Sequence, residues 1–271
     1  MTLRDAVKIL SLAGIENAAD EARMLFSELM GLRREALVFE NPTADARTED
    51  AVKRRAERVP FAYVLGYSYF YNEKYTVNES CLVPRQETEL LVDFAVKNIP
   101  EGESFLDLCT GSGCIGISVL KNTAHTRAVL ADLSESALSL AAENARQNGV
   151  AERAEFVLAD VLSAPLLASE KVFAVLSNPP YVRDEVYGSL SPEVMCEPKM
   201  ALVGGTDGAD FYRRLTELYK DGIKEEGFIL FEIGFDQGNI LRDIAKNNSL
   251  DCEIIKDFSG LDRLALLKRK K

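Results

Sequence analysis

The most distinctive chemistry in this sequence belongs to a five-residue stretch that follows an apolar run: Ser177, Asn178, Pro179, Pro180 and Tyr181. Proline has no backbone N–H and holds φ near about −65°, so two consecutive prolines form a rigid turn that presents carbonyl groups. Asn178 adds a side-chain carbonyl acceptor, and Tyr181 adds an aromatic face. We therefore predict that Asn178 and a proline-fixed backbone carbonyl accept both N–H bonds of a planar NH₂ group while Tyr181 covers its face.

A glycine-rich segment, DLCTGSGCIG, occupies residues 107–116. It follows a predicted strand and begins a predicted helix, and Gly111, Gly113 and Gly116 have the G-x-G-x-x-G spacing of dinucleotide-binding loops. Asp132 ends the next predicted strand, where a carboxylate can bind both hydroxyls of a ribose. The pattern fits two cofactors, NAD and S-adenosylmethionine, because both carry an adenosine ribose. A tight turn without a ligand is the structural alternative.

Asp160 and Val161 follow a third predicted strand, so we expect them at the same edge of the sheet as Asp132. Ligands of open parallel sheets bind outside the carboxyl ends of the strands. The Asp160 carboxylate can accept a hydrogen bond from the exocyclic amine of an adenine, and Val161 can form an apolar wall beside it. A helix cap or a turn is the alternative role for Asp160.

The turn at residues 177–181 favours methyl transfer to nitrogen over hydride transfer. The lone pair of an amide or aromatic amino nitrogen is delocalised, so this nitrogen is a poor nucleophile. Two fixed acceptors favour a geometry in which the lone pair faces an electrophilic methyl group, and they stabilise the positive charge that develops on nitrogen. A turn with a purely structural role explains neither Asn178 nor Tyr181. An NAD-dependent oxidoreductase has no use for the proline turn.

The elements that must position these residues alternate between strands and helices from about residue 87 onward. Apolar strand patterns such as SFLDLC, RAVLAD and VFAVLSN are separated by amphipathic helices. This alternation indicates an α/β domain with a mostly parallel sheet covered by helices on both faces, over residues 87–271. The last two strand patterns, CEIIKDF and RLALLKR, are close enough in sequence to pair as an antiparallel hairpin.

The N-terminal part of the chain has a different organisation. Residues 1–60 show helical periodicity and predict a small helical bundle. Residues 61–86 are rich in Tyr, Phe and Val with turn signals between them, and they predict a β-hairpin linker. The basic run KRRAER within the bundle is expected to form a solvated helix face, with a docking surface for an acidic or RNA-bearing partner as the alternative.

Composition and charge exclude several classes of function. The chain has 271 residues, a net charge of −11, five scattered cysteines and one histidine. These cysteines and the histidine provide no metal site and no disulfide framework. The negative charge opposes nonspecific binding to nucleic acid. The N-terminus has no uninterrupted apolar segment, and no stretch reaches the roughly 18 apolar residues of a membrane span, so we expect a cytoplasmic protein without a membrane partner.

The proline turn and the upstream DLCTGSG together resemble the class I S-adenosylmethionine-dependent methyltransferases that modify amide or amino nitrogens. Three flanking segments narrow this resemblance: LVPRQETE at 82–89, CEPKMALVGGTDG at 196–208 and DFSGLDR at 257–263. They resemble the PrmC/HemK family of peptide chain release factor glutamine methyltransferases over essentially the whole chain. The resemblance implies a Rossmann-like domain of seven strands whose last pair is antiparallel.

The same resemblance implies a reaction and a partner. A methyl group would pass from S-adenosylmethionine to the N5 amide nitrogen of the glutamine in the GGQ motif of class-1 release factors. The product of the cofactor would be S-adenosylhomocysteine. We also expect the helical bundle of residues 1–60 to dock the release factor.

By position, the resemblance assigns most candidate residues to the cofactor. The residues expected to bind S-adenosylmethionine are Cys109, Thr110, Gly111, Ser112, Gly113, Asp132, Asp160, Val161 and Asn178. Within this set the glycine loop would surround the methionine portion, Asp132 would hold the ribose, and Asp160 with Val161 would border the adenine. Val161 stands where some family members have an aromatic residue, so the adenine contact departs from the family pattern.

The resemblance assigns the proline turn to the substrate. Asn178 and Pro179 would accept hydrogen bonds from the glutamine amide, and Tyr181 would pack on the amide plane. These three are the catalytic candidates, and Pro180 is expected to bind substrate with them. The roles of three further charged residues stay open: Arg85, Glu87 and Glu197.

A DNA adenine-N6 methyltransferase is the alternative function, because the exocyclic amine of a flipped adenine presents the same chemical problem as a glutamine amide. Such an enzyme would need a basic groove or a target-recognition region. The net charge of −11 and the small N-terminal bundle disfavour it, so we expect no direct DNA binding. A non-catalytic binding domain would be expected to lose Asn178 or Asp132, and the chain has both.

Overall fold

The structure, a computed structural model, describes residues 1–166 and 171–270. In chain order its helices are α1 Leu3–Leu12, α2 Ala18–Met30, α3 Ala46–Ala56, α4 Phe61–Leu65, α5 Glu89–Asn98, α6 Cys114–Asn122, α7 Glu135–Gln147, α8 Asp184–Tyr187, α9 Pro192–Met195, α10 Asp210–Tyr219 and α11 Gly238–Asn247. Its strands are β1 Tyr67–Phe70, β2 Glu73–Thr76, β3 Ser104–Leu108, β4 Arg127–Asp132, β5 Ala154–Leu158, β6 Val172–Ser177, β7 Ile223–Glu232, β8 Leu250–Lys256 and β9 Asp262–Arg269. No helix among the described residues is long and apolar enough to cross a membrane.

The chain separates by its internal contacts into two compact units. The first contains Met1–Tyr67 and the short segment Leu190–Cys196, and the second contains Ser68–Ser189 and the chain from Glu197 onward. The first unit is a helical bundle whose apolar core includes Leu10, Leu25 and Phe26. A bundle is what the helical periodicity predicts. Assignment of separate roles to the parts of the chain stays a prediction.

Two arginines of the basic run KRRAER are structural residues of the first unit. Arg55 is 5% exposed, and its guanidinium lies 2.5 Å from a carboxylate oxygen of Glu21 and 3.0 Å from one of Glu193. Arg58 also pairs with Glu193, at 2.7 Å. The expectation of a solvated helix face is therefore wrong for this pair of arginines, because the distant segment Leu190–Cys196 supplies a carboxylate.

The predicted hairpin is shorter than residues 61–86. Its strands are β1 and β2, while Phe61–Leu65 form the short helix α4. Pro60 stands at the N-cap of this helix, and Gly66 ends it with φ of +81°. A proline at the start and a left-handed glycine at the end are common helix boundaries, and they prevail here over the β-favouring aromatic composition.

Among the described residues, seven strands of the second unit form one sheet in the order β5-β4-β3-β6-β7-β9-β8. The strands from β5 to β7 in this order pair in parallel, and β9 is antiparallel to both of its neighbours. The mostly parallel sheet with a terminal antiparallel hairpin is thus confirmed. Because parallel strands point the same way, the ends of β3, β4, β5, β6 and β7 meet at one edge.

The sheet has an apolar core on each face. Alternate residues of β3 enter different clusters: Phe105 packs with residues of α5 and α6, and Leu106 packs with residues of α10 and α11. This alternation follows from the two-residue period of a strand. Each fully buried large apolar side chain contributes roughly 1.5–3 kcal/mol, so the two cores hold the strand ends in register.

Gly116 marks the closest approach of α6 to the sheet. A Cβ atom at this position would lie 2.9 Å from Oδ2 of Asp107 and 3.0 Å from Cγ of Leu130. The Gly116 N–H donates to the same Oδ2 at 2.9 Å. The third glycine of the motif therefore allows a helix-to-sheet contact that a side chain would block.

The Gly116→Ala substitution should lower the free energy of unfolding by about 1–3 kcal/mol, because the added methyl group overpacks this contact. Urea unfolding measures the change. Gly188→Ala is the matched control, since Gly188 has φ of −68° and a Cβ there would meet no heavy atom within 4 Å. Equal stability of the two variants would contradict the packing role of Gly116.

Candidate active site

A pocket at the carboxyl edge of the parallel strands brings together most of the predicted site. The predicted residues that line it are Cys109, Thr110, Gly111, Ser112, Asp132, Asp160, Val161, Asn178 and Pro180. They lie at or just after the ends of β3, β4, β5 and β6, which are neighbours in the sheet. Within the described part of the chain, Gly113, Pro179 and Tyr181 are absent from the pocket lining.

Asp132 and the glycine loop are joined directly. The Gly111 N–H donates to Oδ2 of Asp132 at 2.9 Å, and the Ser134 N–H donates to Oδ1 at 2.9 Å. A carboxylate has about four lone-pair positions, so two acceptor positions stay available for a ligand. Asp132 can therefore bind two neighbouring hydroxyl groups while it holds the loop in place.

Ser112 and Gly113 anchor the other end of the loop. Gly113 is the N-cap of α6 with φ of +81°, and a Cβ there would lie 2.6 Å from Cδ1 of Ile117. The Ser112 carbonyl accepts a hydrogen bond from Nδ2 of the buried Asn144 at 2.9 Å. Glycine is needed at position 113 for its backbone conformation and for its close contact with the helix.

Asp107 lies beneath the loop and was not among the predicted site residues. Its side chain is fully buried, and Oδ2 accepts from the Thr110 hydroxyl at 2.6 Å and from the Gly116 N–H. Oδ1 has no hydrogen-bond partner among the described residues. Burial raises the pKa of Asp107 to about 7, against the lowering effect of these two hydrogen bonds. The sequence feature that could have identified Asp107 is its position as an acid within an otherwise apolar predicted strand.

Asp160 makes the bonds of a turn residue. Its Oδ1 accepts from the Leu162 N–H at 3.0 Å, and its Oδ2 accepts from the Ser163 hydroxyl at 2.6 Å. The Ser163 and Leu162 hydrogen bonds lower the pKa of Asp160. Val161 is 5% exposed and packs into the core cluster beside α10. This is the turn role considered for Asp160 above, and its contact with an adenine stays a prediction.

The proline turn is tied to the strand next to it. The Ser177 hydroxyl donates to the Leu108 carbonyl at 2.6 Å, which links the ends of β6 and β3. Asn178 is half-buried, and its Nδ2 donates to the Thr88 hydroxyl at 3.4 Å. Because the amide nitrogen is used in this way, Oδ1 is the Asn178 atom that can accept from a ligand. Burial raises the pKa of Tyr181 to about 12, so this phenol stays neutral near pH 7.

The flanking segment GGTDG, residues 204–208, packs on the backbone of the turn. A Cβ at Gly204 would lie 2.5 Å from the Pro180 carbonyl oxygen, and one at Gly208 would overlap the Tyr181 carbonyl oxygen. Gln237 Nε2 donates to this Tyr181 oxygen at 3.1 Å. Glycines at these two positions let the chain support the turn from outside the pocket.

Arg85 and Glu197, whose roles the sequence left open, form an ion pair, and Arg85 of this pair lines the pocket. Glu197 is 3% exposed and accepts from Arg85 at 2.5 Å and from the Val83 N–H at 3.1 Å. Burial raises the pKa of Glu197, and the charge of Arg85 opposes this shift. The pair joins the segment before α5 to the segment after α9. Nothing in the structure assigns a role to Glu87.

Further lining residues come from two segments of the chain. These residues are Ser80, Cys81, Leu82, Pro84, Arg85, Thr88, Pro198, Met200 and Ala201. Most belong to the flanking segments at 82–89 and 196–208, which indicated the family without a role for these side chains, because the fold brings them to the pocket from positions more than one hundred residues apart.

The chain matches two protein families and several named relatives. Residues 2–66 match the PrmC N-terminal domain, and residues 86–205 match the Methyltransferase small domain. A release factor glutamine methyltransferase of Cereibacter sphaeroides is 36% identical over 97% of this chain and 95% of its own length. A protein of the same name from Thermodesulfovibrio yellowstonii is 34% identical over 93% of this chain and 92% of its own length.

Solved structures share the fold of a large part of this chain. A ribosomal protein L11 methylase from Lactobacillus delbrueckii subsp. bulgaricus superposes with a TM-score of 0.51 at 18% identity, covering 69% of this chain and 81% of its own. A tRNA m1G37 methyltransferase from M. jannaschii gives 0.50 at 16% identity, covering 76% and 57%. At these identities the likeness shows the fold alone. With the sequence matches, it confirms the resemblance and the Rossmann-like methyltransferase fold.

Asp107→Asn should flatten the pH dependence of stability. A folded-state pKa of about 7 lies above the ordinary value of 3.8, so folded Asp107 keeps a proton that the unfolded chain loses between these values. Stability is therefore lost as the pH rises through about 7. Urea unfolding should show a fall from about pH 5 to about pH 8 that is larger in the unsubstituted protein, by about 1 kcal/mol or more.

The exposed Asp251 supplies the control, because Asp251→Asn makes the same chemical change away from the loop. If Asp107→Asn kept the full pH dependence of the unsubstituted protein, protonation of Asp107 would not be the source of this dependence.

Proposed function

Because this chain belongs to the family of release factor glutamine methyltransferases, we propose that it transfers a methyl group from S-adenosylmethionine to the N5 amide nitrogen of the glutamine in the GGQ motif of class-1 release factors. The observation that carries the proposal is one shared pocket. Asn178, an acceptor for an NH₂ group, lines the same pocket as the glycine loop and Asp132.

The chemistry of this pocket fits S-adenosylmethionine. Asp132 has acceptor positions left for the ribose hydroxyls beside its bonds to Gly111 and Ser134. The next residue, Leu133, is 58% exposed and lines the pocket. An exposed apolar side chain beside a diol-binding carboxylate suits the face of an adenine. Cys109, Thr110, Gly111 and Ser112 would then border the methionine portion.

Bound S-adenosylmethionine would supply an electrophilic methyl group. Oδ1 of Asn178 and the Pro179 carbonyl accept the two N–H bonds of the glutamine amide, and they hold its nitrogen lone pair toward the cofactor. The same acceptors stabilise the positive charge that develops on the nitrogen. Asn178 or water takes the proton that the methylated nitrogen then loses. The assignments of Pro179 and Tyr181 rest on the family motif rather than on pocket contacts.

The proposed partner is a protein rather than DNA. The relatives of this chain are named release factor glutamine methyltransferase. The comparisons therefore do not favour a DNA adenine-N6 methyltransferase. A net charge of −11 also opposes attraction to a phosphate backbone. A release factor substrate places the reaction where translation terminates, in the cytoplasm.

We further propose that the helical bundle of residues 1–60 docks the release factor. Support comes from three exposed apolar side chains of the first unit: Leu12 at 79%, Val38 at 60% and Phe39 at 87%. Exposed apolar side chains of this kind suit a protein partner better than a nucleic acid backbone. The match of residues 2–66 to the PrmC N-terminal domain is consistent with a dedicated role for this part.

Asn178→Ala should lower kcat by about 10²-fold or more, the scale for loss of one preorganised polar contact, while S-adenosylmethionine binding stays close to that of the unsubstituted protein. Methyl transfer to a purified release factor measures kcat, and calorimetry measures binding. An unchanged kcat would remove Asn178 as the acceptor.

Asp132→Ala is the contrasting variant in this experiment. It removes the diol-binding carboxylate, so its main effect should be a loss of S-adenosylmethionine affinity. Calorimetry that showed undiminished affinity would exclude a ribose contact for Asp132.

Phe39→Ser should lower kcat/KM for a full-length release factor by about tenfold, the equivalent of about 1.4 kcal/mol of docking free energy. The rate on a short GGQ-containing peptide should stay the same, because such a peptide lacks the rest of the release factor that would dock on the bundle. Phe258→Ser is the matched control, since Phe258 is also a highly exposed phenylalanine but belongs to the second unit. Equal effects on factor and peptide would rule out docking through Phe39.

A further inference from the structure

The ends of β6 and β7 bring an acid beside the proline turn. These strands pair in parallel with Ser177 opposite Phe231, so the residues that follow, Asn178 and Glu232, are neighbours at the sheet edge. Glu232 is 1% exposed, and among the described residues it is not part of the pocket lining. Burial of a carboxyl group costs free energy unless the group is hydrogen-bonded or paired, so a buried Glu232 indicates a hydrogen-bonding partner or a function.

Thr88 connects Asn178 to the surroundings of Glu232. Asn178 Nδ2 donates to the Thr88 hydroxyl at 3.4 Å. Oε2 of Glu232 is buried and has no hydrogen-bond partner among the described residues, so it is available to accept, and hydrogen bonding from Thr88 lowers the pKa of Glu232. Thr88 itself is 2% exposed, directly before α5. Catalytic hydrogen bonds are often long before substrate binds, so a distance of 3.4 Å is compatible with a working contact.

The Thr88 hydroxyl has a single proton, and the group that receives it determines which end of the Asn178 amide faces Thr88. When Thr88 donates this proton to an ionised Glu232, its oxygen can only accept from Asn178. Asn178 must then turn Nδ2 toward Thr88, and Oδ1 is left as the acceptor for a substrate NH₂ group. A protonated Glu232 can instead donate to Thr88, so Thr88 can donate to Oδ1 of Asn178, and a flipped amide would present Nδ2 to the substrate.

We propose that Glu232, acting through Thr88, is a positioning residue that holds the Asn178 amide in its acceptor orientation and does so in its ionised form. This role rests on the proposed function, because that function makes Asn178 the acceptor. No bond to Glu232 is made or broken in the reaction. Glu232 determines which end of the Asn178 amide faces the glutamine nitrogen.

The surroundings of Glu232 let its charge change near neutral pH. Burial raises the pKa of Glu232 to about 7, the Thr88 hydrogen bond and the charge of Arg263 lower it, Glu87 raises it, and Arg85 lowers it. The titratable and charged groups that act on Glu232 or feel its charge are Arg263, Arg85, Glu87, Tyr181, Tyr212 and Cys114. The fraction of enzyme with a correctly oriented Asn178 should therefore rise as the pH rises through about 7.

The first test compares Thr88→Val with Thr88→Ser in steady-state methylation of a full-length release factor. Valine keeps the shape but removes the hydroxyl, so kcat should fall about tenfold or more while both KM values change by less than about threefold. Serine keeps the hydroxyl and should restore kcat to within about threefold. Thr216→Val is the matched control, because Thr216 is a buried residue of α10 whose hydroxyl has no partner among the described residues.

The second test is the pH dependence of the single-turnover rate. The rate of the unsubstituted enzyme should rise from about pH 6 to about pH 8, and Glu232→Gln should lose this rise, because its amide does not ionise. Thermal unfolding confirms that each variant is folded. If Thr88→Val does not fold, the pH profile of Glu232→Gln decides.

Two outcomes would overturn the positioning role. One is a Thr88→Val effect confined to the KM for S-adenosylmethionine, or no effect on kcat beyond that of Thr216→Val. The other is a Glu232→Gln profile that keeps the rise of the unsubstituted enzyme. Failure of the proposed function is distinguishable from both, because the folded, unsubstituted enzyme would then not methylate the release factor at all.

Discussion

The parallel pairing of β4, β3, β6 and β7 is the constraint on which the whole site depends. Leu108 of β3 stands opposite Ala131 on one side and Ser177 on the other, and Ser177 stands opposite Phe231. Each strand therefore brings the residues at its end to the same edge: the glycine loop, Asp132, the proline turn and the buried Glu232. A one-residue slip in register would move every side chain of a strand to the other face of the sheet. Burial of the two apolar cores therefore fixes the register, and with it the positions of the site residues.

Buried acids organise this site more than they react in it. Asp107 holds the glycine loop through Thr110 and the N–H of α6, and Glu197 holds the pocket wall through Arg85 and the Val83 N–H. In both residues, hydrogen bonds or an ion pair within the protein take the place of water around the carboxyl group. Removal of this water raises the pKa of the carboxyl group, so the stability of the pocket depends on pH. The acceptors proposed for the substrate amide, Oδ1 of Asn178 and the Pro179 carbonyl, are neutral groups.

The sequence predicted the parts of this site that depend on local pattern. Glycine spacing, apolar strands and the residues at 177–181 carry their signal within a few positions, so the fold was predicted correctly and Asp132 was expected where it lies, beside the glycine loop. Pairs that the fold assembles carried no such signal: Arg55 meets Glu193 across 138 positions. Phe61–Leu65 became a helix because the proline and glycine at its ends outweigh its aromatic composition. Long-range partners of a buried acid are set by strand register, which a single sequence does not display.

The central claim is that the proline turn presents acceptors to a protein amide. Mass spectrometry tests it most directly: a purified class-1 release factor is incubated with the enzyme and methyl-labelled S-adenosylmethionine, and its peptides are fragmented to locate the label. The account predicts one methyl group on the side-chain amide nitrogen of the GGQ glutamine. Label on another residue of the factor, or transfer to DNA with none to the factor, would contradict it.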